Sequence, residues 1–278
     1  MDKVYLQTYS LQDHMFTEFK ESLKKVADIG YAGVEFAGSN YGNLPAAELK
    51  AYMKEIGLEP LSSHVGYENL ERDIPYLAEL GAKYIVAPGA PMGTKEEVLT
   101  TAKEMNRIGK IALENGLKLG YHNHTHEFGK VDGDKSAEEL LIENTDPDLV
   151  FIELDVGWAT CAGVDVPKFI ADHSGRVKMI HVKEMDAVYG IDKPMDFKSL
   201  PKDADGRPIL PEEWKQHFRK LQMADVPTGK GIVDWQKVKS VADANGAEAY
   251  VVEREYDYKG NDIFGCVKED LEALRPIK

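Results

Sequence analysis

Cysteine, basic residues and long apolar runs are all scarce in this chain. Its two cysteines, Cys161 and Cys266, are too few for a disulfide framework or a four-cysteine zinc site. No apolar run approaches the ~20 residues that cross a bilayer. The first residues, Met1-Asp2-Lys3, lack the apolar core of a secretion signal. We therefore expect a soluble, cytoplasmic protein with no membrane partner.

The chain also lacks the positive charge that a nucleic-acid partner usually requires. It has 34 Lys and Arg against 48 Asp and Glu, which gives a formal net charge of −14. A nucleic-acid-binding protein normally presents a dense basic surface to phosphates, so we expect no such partner. The excess carboxylates suit a divalent cation, although composition alone identifies no ligand. A hydrophobic fraction of 43% supports a large buried core.

Strand and helix patterns alternate along almost the whole chain of 278 residues. The predicted strands are Val4–Tyr9, Gly33–Phe36, Glu59–His64, Tyr84–Ala87, Lys118–Asn123, Leu149–Asp155, Val177–His181 and Ala249–Glu253. The predicted helices are Thr17–Ile29, Pro45–Ile56, Leu70–Leu80, Lys95–Asn115, Ser136–Asn144, Pro167–His173, Trp235–Ala244 and Asp262–Leu274. Such alternation implies parallel strands joined by right-handed crossovers. With no Gly-x-Gly-x-x-Gly after the first strand, we predict an α/β fold, a single (β/α)8 TIM barrel forming one domain over residues 1–278.

One connection, between His181 and Trp235 after strand 7, is far longer than the others. It is rich in charge, proline and aromatic residues such as Tyr189 and Trp214. Loops of this length are usually functional or disordered, and this one leaves the end of the barrel where active sites form. We predict a partly helical cover over the barrel mouth. The alternative is an exposed segment that makes contacts in a homo-oligomer.

Polar side chains gather where the predicted strands end. They include Glu35, His64, His122, His124, His126, Glu127, Glu153, Asp155, His181, Lys183 and Glu253. Catalytic residues of a TIM barrel lie at these carboxyl ends. Two Glu, one Asp and one His from four consecutive strands suit a divalent ion such as Mn²⁺ or Mg²⁺. Side-chain alternation places Glu153 and Asp155 on one face and does not choose between them. Pairing of these carboxylates with Lys183 and Arg254 is the structural alternative.

Seven stretches of the chain together resemble one known family. They are Val4–Asp13, Gly33–Ala37, Tyr121–Phe128, Leu154–Gly157, His181–Lys183, Gly229–Trp235 and Val251–Glu253. In this order they resemble the xylose isomerase-like TIM barrel superfamily, in particular its sugar phosphate isomerase/epimerase branch, which includes inosose dehydratases and ketose 3-epimerases. The resemblance implies one divalent metal ion, with Mn²⁺ first and Mg²⁺, Co²⁺ or Zn²⁺ as alternatives. By motif position its ligands are Glu127, Asp155, His181 and Glu253.

The resemblance also implies roles in catalysis. In epimerases of this superfamily the two ligand glutamates exchange protons on opposite faces of the substrate, which makes Glu127 and Glu253 the predicted catalytic residues. The predicted substrate contacts are Glu35, His64, His122, His124, Trp158 and Lys183. Trp158 departs from the family pattern, because many relatives have a histidine there.

The chemistry of such a site begins with removal of a proton next to a carbonyl, which a bound dication promotes by stabilising the enediolate. We therefore predict a metal-dependent sugar isomerase or epimerase acting on a small sugar or polyol-derived substrate. An inosose dehydratase-like lyase, or a β-eliminating enzyme on a keto-glycoside, is the alternative. A phosphodiesterase resembling endonuclease IV is disfavoured because it needs a larger multi-zinc histidine cluster and a basic groove.

Overall fold

Eight parallel strands close into a barrel in this computed structural model, which describes residues 1, 3–192, 200–202, 209, 211–255 and 262–278. Each strand pairs with its neighbours along the chain, and the last pairs with the first. We number the barrel strands 1 to 8: Tyr5–Gln7, Gly33–Ala37, Glu59–His64, Tyr84–Ala87, Lys118–His122, Val150–Asp155, Val177–Val182 and Ala249–Val252. The predicted (β/α)8 barrel is thereby confirmed.

Helices surround the barrel and connect its strands. Their bounds are His14–Thr17, Phe19–Ile29, Ala46–Ile56, Leu70–Leu80, Lys95–Glu114, Ala137–Asn144, Val156–Cys161, Val166–Asp172, Glu212–Ala224, Trp235–Ala244 and Ile263–Leu274. Gly30 and Gly57 end two of them in the left-handed conformation, at φ 104° and 72°, as a C-terminal cap requires. Ser136 and Glu139 form the predicted capping box. No helix among the described residues is both long and apolar enough to cross a bilayer.

A compact apolar layer fills the interior of the barrel. It consists of Tyr5, Leu61, Tyr84, Val86, Phe151, Met179, Ala249 and Val251. Gly120 is needed beside Phe151, because a Cβ at this position would lie 2.6 Å from the phenyl ring. Side chains two residues further along a strand point to the same face. The interior layer is therefore followed, toward the carboxyl ends, by His122, Glu153, Asp155, His181 and Glu253.

The structure differs from the sequence prediction around strands 1 and 5. Strand 1 is only Tyr5–Gln7, because the Gln7 side chain accepts a hydrogen bond from the Tyr9 backbone and starts the 3-10 turn Thr8–Leu11. Strand 5 ends at His122 and is followed by the 3-10 turn His126–Phe128. These turns redirect the chain directly at the mouth of the barrel, so they decide which side chains can enter it.

The long connection after strand 7 contains the helix Glu212–Ala224, in agreement with its prediction as partly helical. Residues 193–199, 203–208 and 210 of this connection lie outside the described residues. Near its two ends, Met185 pairs with Asp225 in an antiparallel bridge. Met185 and Ala224 pack with Trp158 and Cys161 in a small buried cluster. The base of the connection is therefore fixed beside the end of strand 6.

Candidate metal centre at the carboxyl-terminal mouth

Three of the predicted metal ligands converge at the carboxyl-terminal mouth of the barrel. Asp155, His181 and Glu253 each offer one ligand atom, and these atoms lie within 4.8 Å of one another. Strand register brings them together, because Asp155 lies opposite His181 in strands 6 and 7. His181 Nδ1 lies 3.4 Å from Asp155 Oδ2 and 3.5 Å from Glu253 Oε2. The three side chains are buried, so they form a preorganised group rather than a loose surface cluster.

Two atoms at the centre of this group have no hydrogen-bond partner. Asp155 Oδ2 and His181 Nδ1 are both buried and make no hydrogen bond, whereas Asp155 Oδ1 accepts a 2.8 Å hydrogen bond from the Trp158 backbone. An unsatisfied buried polar atom costs about 1–3 kcal/mol, and more when it is charged. A divalent cation accepts lone pairs from atoms of this kind, and a set of carboxylate oxygens with an imidazole suits it. The residues present therefore fit such an ion.

Lys183 contacts Glu253 at one side of the outer group, which is formed by Asp155, His181 and Glu253. Its Nζ lies 3.0 Å from Glu253 Oε2 and 2.6 Å from Glu255 Oε1, and 5.2 Å from the centre of the Trp158 ring. Burial opposes its charge, but Glu253 and Glu255 raise the pKa of Lys183 well above its usual value. Burial likewise opposes the charge of Glu253, but Lys183 and His181 lower the pKa of that carboxyl. Two carboxylates, those of Glu253 and Glu255, thus contact one ammonium group.

A second group, the inner network, lies deeper in the barrel and consists of Glu35, His64 and Glu153. His64 Nε2 lies 3.0 Å from Glu35 Oε1 and 2.7 Å from Glu153 Oε2. The inner network also contacts two histidines outside it. Glu35 Oε1 is 3.1 Å from His181 Nε2, and Glu153 Oε2 is 3.0 Å from His122 Nδ1. Glu35 and His64, predicted to contact substrate, are thus placed in contact with other side chains of the site.

The charges of the inner network balance one another. Burial raises the pKa of Glu35, but His64 and His181 outweigh it and hold this pKa well below its usual value. Burial and the Glu35 charge raise the pKa of Glu153 to about 7. Against its burial, Glu35 and Glu153 raise the pKa of His64 to about 10. Burial and the neighbouring His181 lower the pKa of His122 well below its usual value, so its imidazole is neutral.

Glu127, the fourth predicted ligand, lies outside both groups of possible metal-ligand atoms found among the described residues. These groups are Asp155, His181 and Glu253, and His64, His122, Glu153 and His181. Its Oε1 accepts a 2.9 Å hydrogen bond from the Tyr121 hydroxyl, and its Oε2 accepts a 2.8 Å bond from the His124 backbone. Tyr121 points away from the barrel interior, because its neighbour His122 points inward. The 3-10 turn His126–Phe128 therefore turns this carboxylate toward the outer face of strand 5.

The remaining predicted contacts line the mouth. The His124 ring centre lies 5.3 Å from that of His122 and 5.9 Å from that of Trp158. Trp158 itself is buried, and its indole Nε1 has no hydrogen-bond partner. One continuous wall beside the outer group is thus formed by His124, Trp158 and Lys183.

Sequence reasoning missed two residues at this mouth, Glu255 and Tyr9. Glu255 follows Glu253 by two residues, so side-chain alternation was a usable signal for it. Tyr9 is 54% exposed, and its phenol is near enough to the site that, after burial, the charges of Glu255 and Glu253 raise its pKa. The 3-10 turn that contains Tyr9 shortens strand 1. No periodic pattern in the sequence predicts that turn.

Comparison with known proteins agrees with the barrel fold. Residues 23–277 match the sequence family described as xylose isomerase-like TIM barrel. An inosose dehydratase of Clostridium perfringens is 26% identical over 263 residues, which cover 84% of this chain and 82% of that protein. A crystal structure described as a sugar phosphate isomerase/epimerase from Parabacteroides distasonis superposes with a TM-score of 0.74 at 26% identity, over 100% of this chain and 96% of the other.

A further solved structure shows the same fold at lower identity. It is described as an IolI protein with a bound zinc atom, and it superposes with a TM-score of 0.73 at 14% identity. The alignment covers 99% of this chain and 97% of that one. Because the family match spans most of the chain, from residue 23 to residue 277, the chain belongs to the xylose isomerase-like TIM barrel family.

Proposed function

We propose that this chain is an enzyme that removes a proton next to a carbonyl in a small sugar or polyol-derived substrate, with a divalent cation at the barrel mouth. Isomerisation or epimerisation is the first candidate reaction. The observation that carries the proposal is the convergence of Asp155, His181 and Glu253 around two buried atoms that lack hydrogen-bond partners. The likeness to sugar-processing enzymes supports a sugar as the substrate class.

Asp155, His181 and Glu253 would hold the cation. When bound, the ion supplies Lewis acidity toward a substrate carbonyl, which favours loss of the adjacent proton. These three ligands alone accept Mn²⁺, which the family resemblance puts first, as well as Mg²⁺, Co²⁺ or Zn²⁺. The zinc atom described in a structure of the same fold supports a cation here and does not choose among these ions.

Glu253 is the proposed proton acceptor. Its carboxylate is 7% exposed, and the neighbouring Lys183 and His181 favour its ionised form against the effect of burial. A positioned base of this kind contributes typically ~10²–10⁴-fold to the rate. Glu127, predicted as the second acid/base residue, stays a prediction, because its carboxylate is hydrogen-bonded to Tyr121 and to the backbone of His124.

The wall beside the cation site would hold the substrate. Lys183 carries a positive charge that an anionic or hydroxyl oxygen of the substrate can share with Glu253 and Glu255. Trp158 offers an aromatic surface between His124 and Lys183. Lys183 Nζ lies 5.2 Å from the centre of the Trp158 ring and 3.0 Å from Glu253 Oε2, so a substrate that contacts Lys183 and Trp158 also lies next to the Glu253 carboxylate.

The proposal is tested by incubating the protein with metal and a panel of ketoses, inososes and keto-glycosides in deuterated water, followed by mass spectrometry. An isomerase or epimerase incorporates deuterium next to the carbonyl without loss of water. Glu253→Gln should abolish this exchange, whereas Glu248→Gln at the opposite end of the barrel should leave it intact. Unchanged exchange in Glu253→Gln would refute the role of Glu253.

A lyase is the second candidate function. The 26% identity to an inosose dehydratase over 84% of this chain favours it. A dehydratase begins with the same proton abstraction and then expels a β-hydroxyl, so the same residues serve both reactions. In the experiment above its product is lighter than the substrate by one water, whereas an isomerase conserves the elemental composition apart from exchanged hydrogen.

A further inference from the structure

Two histidines of the barrel mouth, His122 and His181, are held in the same way. His181 has its Nε2 3.1 Å from Glu35 Oε1 and its Nδ1 3.4 Å from Asp155 Oδ2. His122 has its Nδ1 3.0 Å from Glu153 Oε2 and its Nε2 3.9 Å from the same Asp155 oxygen. Each imidazole therefore has one nitrogen against a buried carboxylate and the other facing Asp155 Oδ2.

This arrangement is the usual one for a metal-binding histidine. Such a residue donates its second ring N–H to a carboxylate, a carbonyl or water, which fixes the tautomer and points the free lone pair at the ion. Bonds of about 2.0–2.2 Å from one ion to two ligands leave those ligands at most about 4.4 Å apart. The distances of 3.4 Å and 3.9 Å satisfy this limit for the pair that each histidine forms with Asp155 Oδ2.

His64 contacts the carboxylates that orient these two histidines. Its Nε2 lies between the two orienting carboxylates, 3.0 Å from Glu35 Oε1 and 2.7 Å from Glu153 Oε2. Glu35 also accepts hydrogen bonds from Gln7 and from Ser62. The carboxylates that hold the two histidines are thus fixed themselves, so neither imidazole can turn without breaking several contacts.

We propose that His122 is the fourth ligand of the cation site, in the role that the family resemblance gives to Glu127. The proposal rests on the cation site of the proposed function and deepens it. The resulting donor set has two imidazoles, from His122 and His181, and two carboxylates, from Asp155 and Glu253. Imidazole suits zinc and other transition metals, whereas carboxylate and water suit magnesium and manganese. We therefore expect binding of Zn²⁺ or Co²⁺ to exceed that of Mg²⁺ and Mn²⁺ by a wide margin.

The test measures metal binding by calorimetry and by the visible absorption of bound Co²⁺, with no need for a known substrate. His122→Gln should weaken Co²⁺ binding at least about tenfold and change the absorption spectrum. Glu127→Gln is the matched control and should leave both unchanged within error. The opposite pattern, with Glu127→Gln losing the ion and His122→Gln keeping it, would overturn the proposal.

Two further variants separate failure of the inference from failure of the proposed function. His181→Gln should lose Co²⁺, and if it does while His122→Gln binds normally, the cation site stands and the His122 assignment is wrong. His122→Glu should fold, as judged by circular dichroism, and bind metal with its preference shifted toward Mn²⁺. If the unaltered protein binds no divalent ion, both proposals fall. A second ion per chain that requires His64 would also overturn the four-ligand assignment.

Discussion

At the amino-terminal end of the barrel, the acidic side chains of Glu59, on strand 3, and Glu248, just before strand 8, are paired with partners. Glu59 accepts a 2.9 Å hydrogen bond from the Tyr5 hydroxyl and forms a 2.9 Å ion pair with Lys3. Glu248 accepts a 2.7 Å hydrogen bond from the Tyr84 hydroxyl. At the carboxyl-terminal end, by contrast, Asp155 Oδ2 and His181 Nδ1 face each other without a hydrogen bond.

This difference in hydrogen bonding shows that the type of residue alone does not define the site. Both ends present carboxylates from barrel strands, but the amino-terminal end provides each of Glu59 and Glu248 with a tyrosine hydroxyl. The histidines at the carboxyl-terminal end have a different role, because the inner network of Glu35, His64 and Glu153 orients them toward atoms that make no hydrogen bond. We infer that polar groups at the first end stabilise the barrel, and we propose that those at the second bind a ligand.

The largest expected effect comes from removing charge at the second end. Asp155→Asn should lower metal affinity by more than about a hundredfold, because it replaces an oxygen at the centre of the site with an amide. Glu59→Gln is the matched control at the first end. It should keep full metal affinity and lose roughly 0.2–1 kcal/mol of unfolding free energy, since its pair with Lys3 is largely exposed. Calorimetry and urea denaturation measure the two quantities, and equal metal loss in both variants would remove the contrast.

An intermediate effect is expected from the inner network. Glu35→Gln leaves His64 and His181 without a shared anion, so His181 should lose its fixed orientation. We expect a roughly 10–100-fold loss of metal affinity together with about 3–5 kcal/mol of destabilisation, since a fully buried ion pair is broken. Calorimetric titration and urea denaturation check this. Loss of stability with unchanged metal affinity would show that Glu35 supports the fold without orienting His181.

The smallest effect is expected at the amino-terminal end. Tyr84→Phe removes the hydrogen bond to Glu248 and should cost about 0.5–1.5 kcal/mol of unfolding free energy, with metal affinity unchanged. Thermal or urea denaturation detects the first change, and calorimetry checks the second. A clear loss of metal binding in Tyr84→Phe would mean that the two ends are coupled through the apolar layer between them.

Much of the fold follows from local sequence patterns. The predicted strands Glu59–His64 and Tyr84–Ala87 and the predicted helix Leu70–Leu80 have the same bounds in the structure. These elements are periodic and bounded by clear stop signals, such as Gly81 after the helix. The hairpin formed by Lys130–Asp132 and Lys135–Ser136 was not predicted, because segments of two or three residues carry no periodic signal.

The candidate site was predictable where it depends on strand alternation and was not where it depends on turns. Alternation correctly placed Asp155 and His181 on the inner face, and strand register then set them opposite each other. Alternation could not choose between Glu153 and Asp155 as the metal ligand. In the structure Glu153 pairs with His122 in register and lies in the inner network. Glu127 lies within a 3-10 turn, and its direction depends on three-dimensional contacts with Tyr121 that spacing does not encode.

The most direct test of the account is anomalous X-ray diffraction from crystals of the protein grown with Zn²⁺ or Co²⁺. The account predicts one strong anomalous peak per chain, between Asp155 Oδ2, His181 Nδ1 and Glu253 Oε2. Crystals of Asp155→Asn grown in the same way should lack that peak. A peak at another position, or no peak in the unaltered protein at saturating metal, would contradict the assignment of this mouth as a cation site.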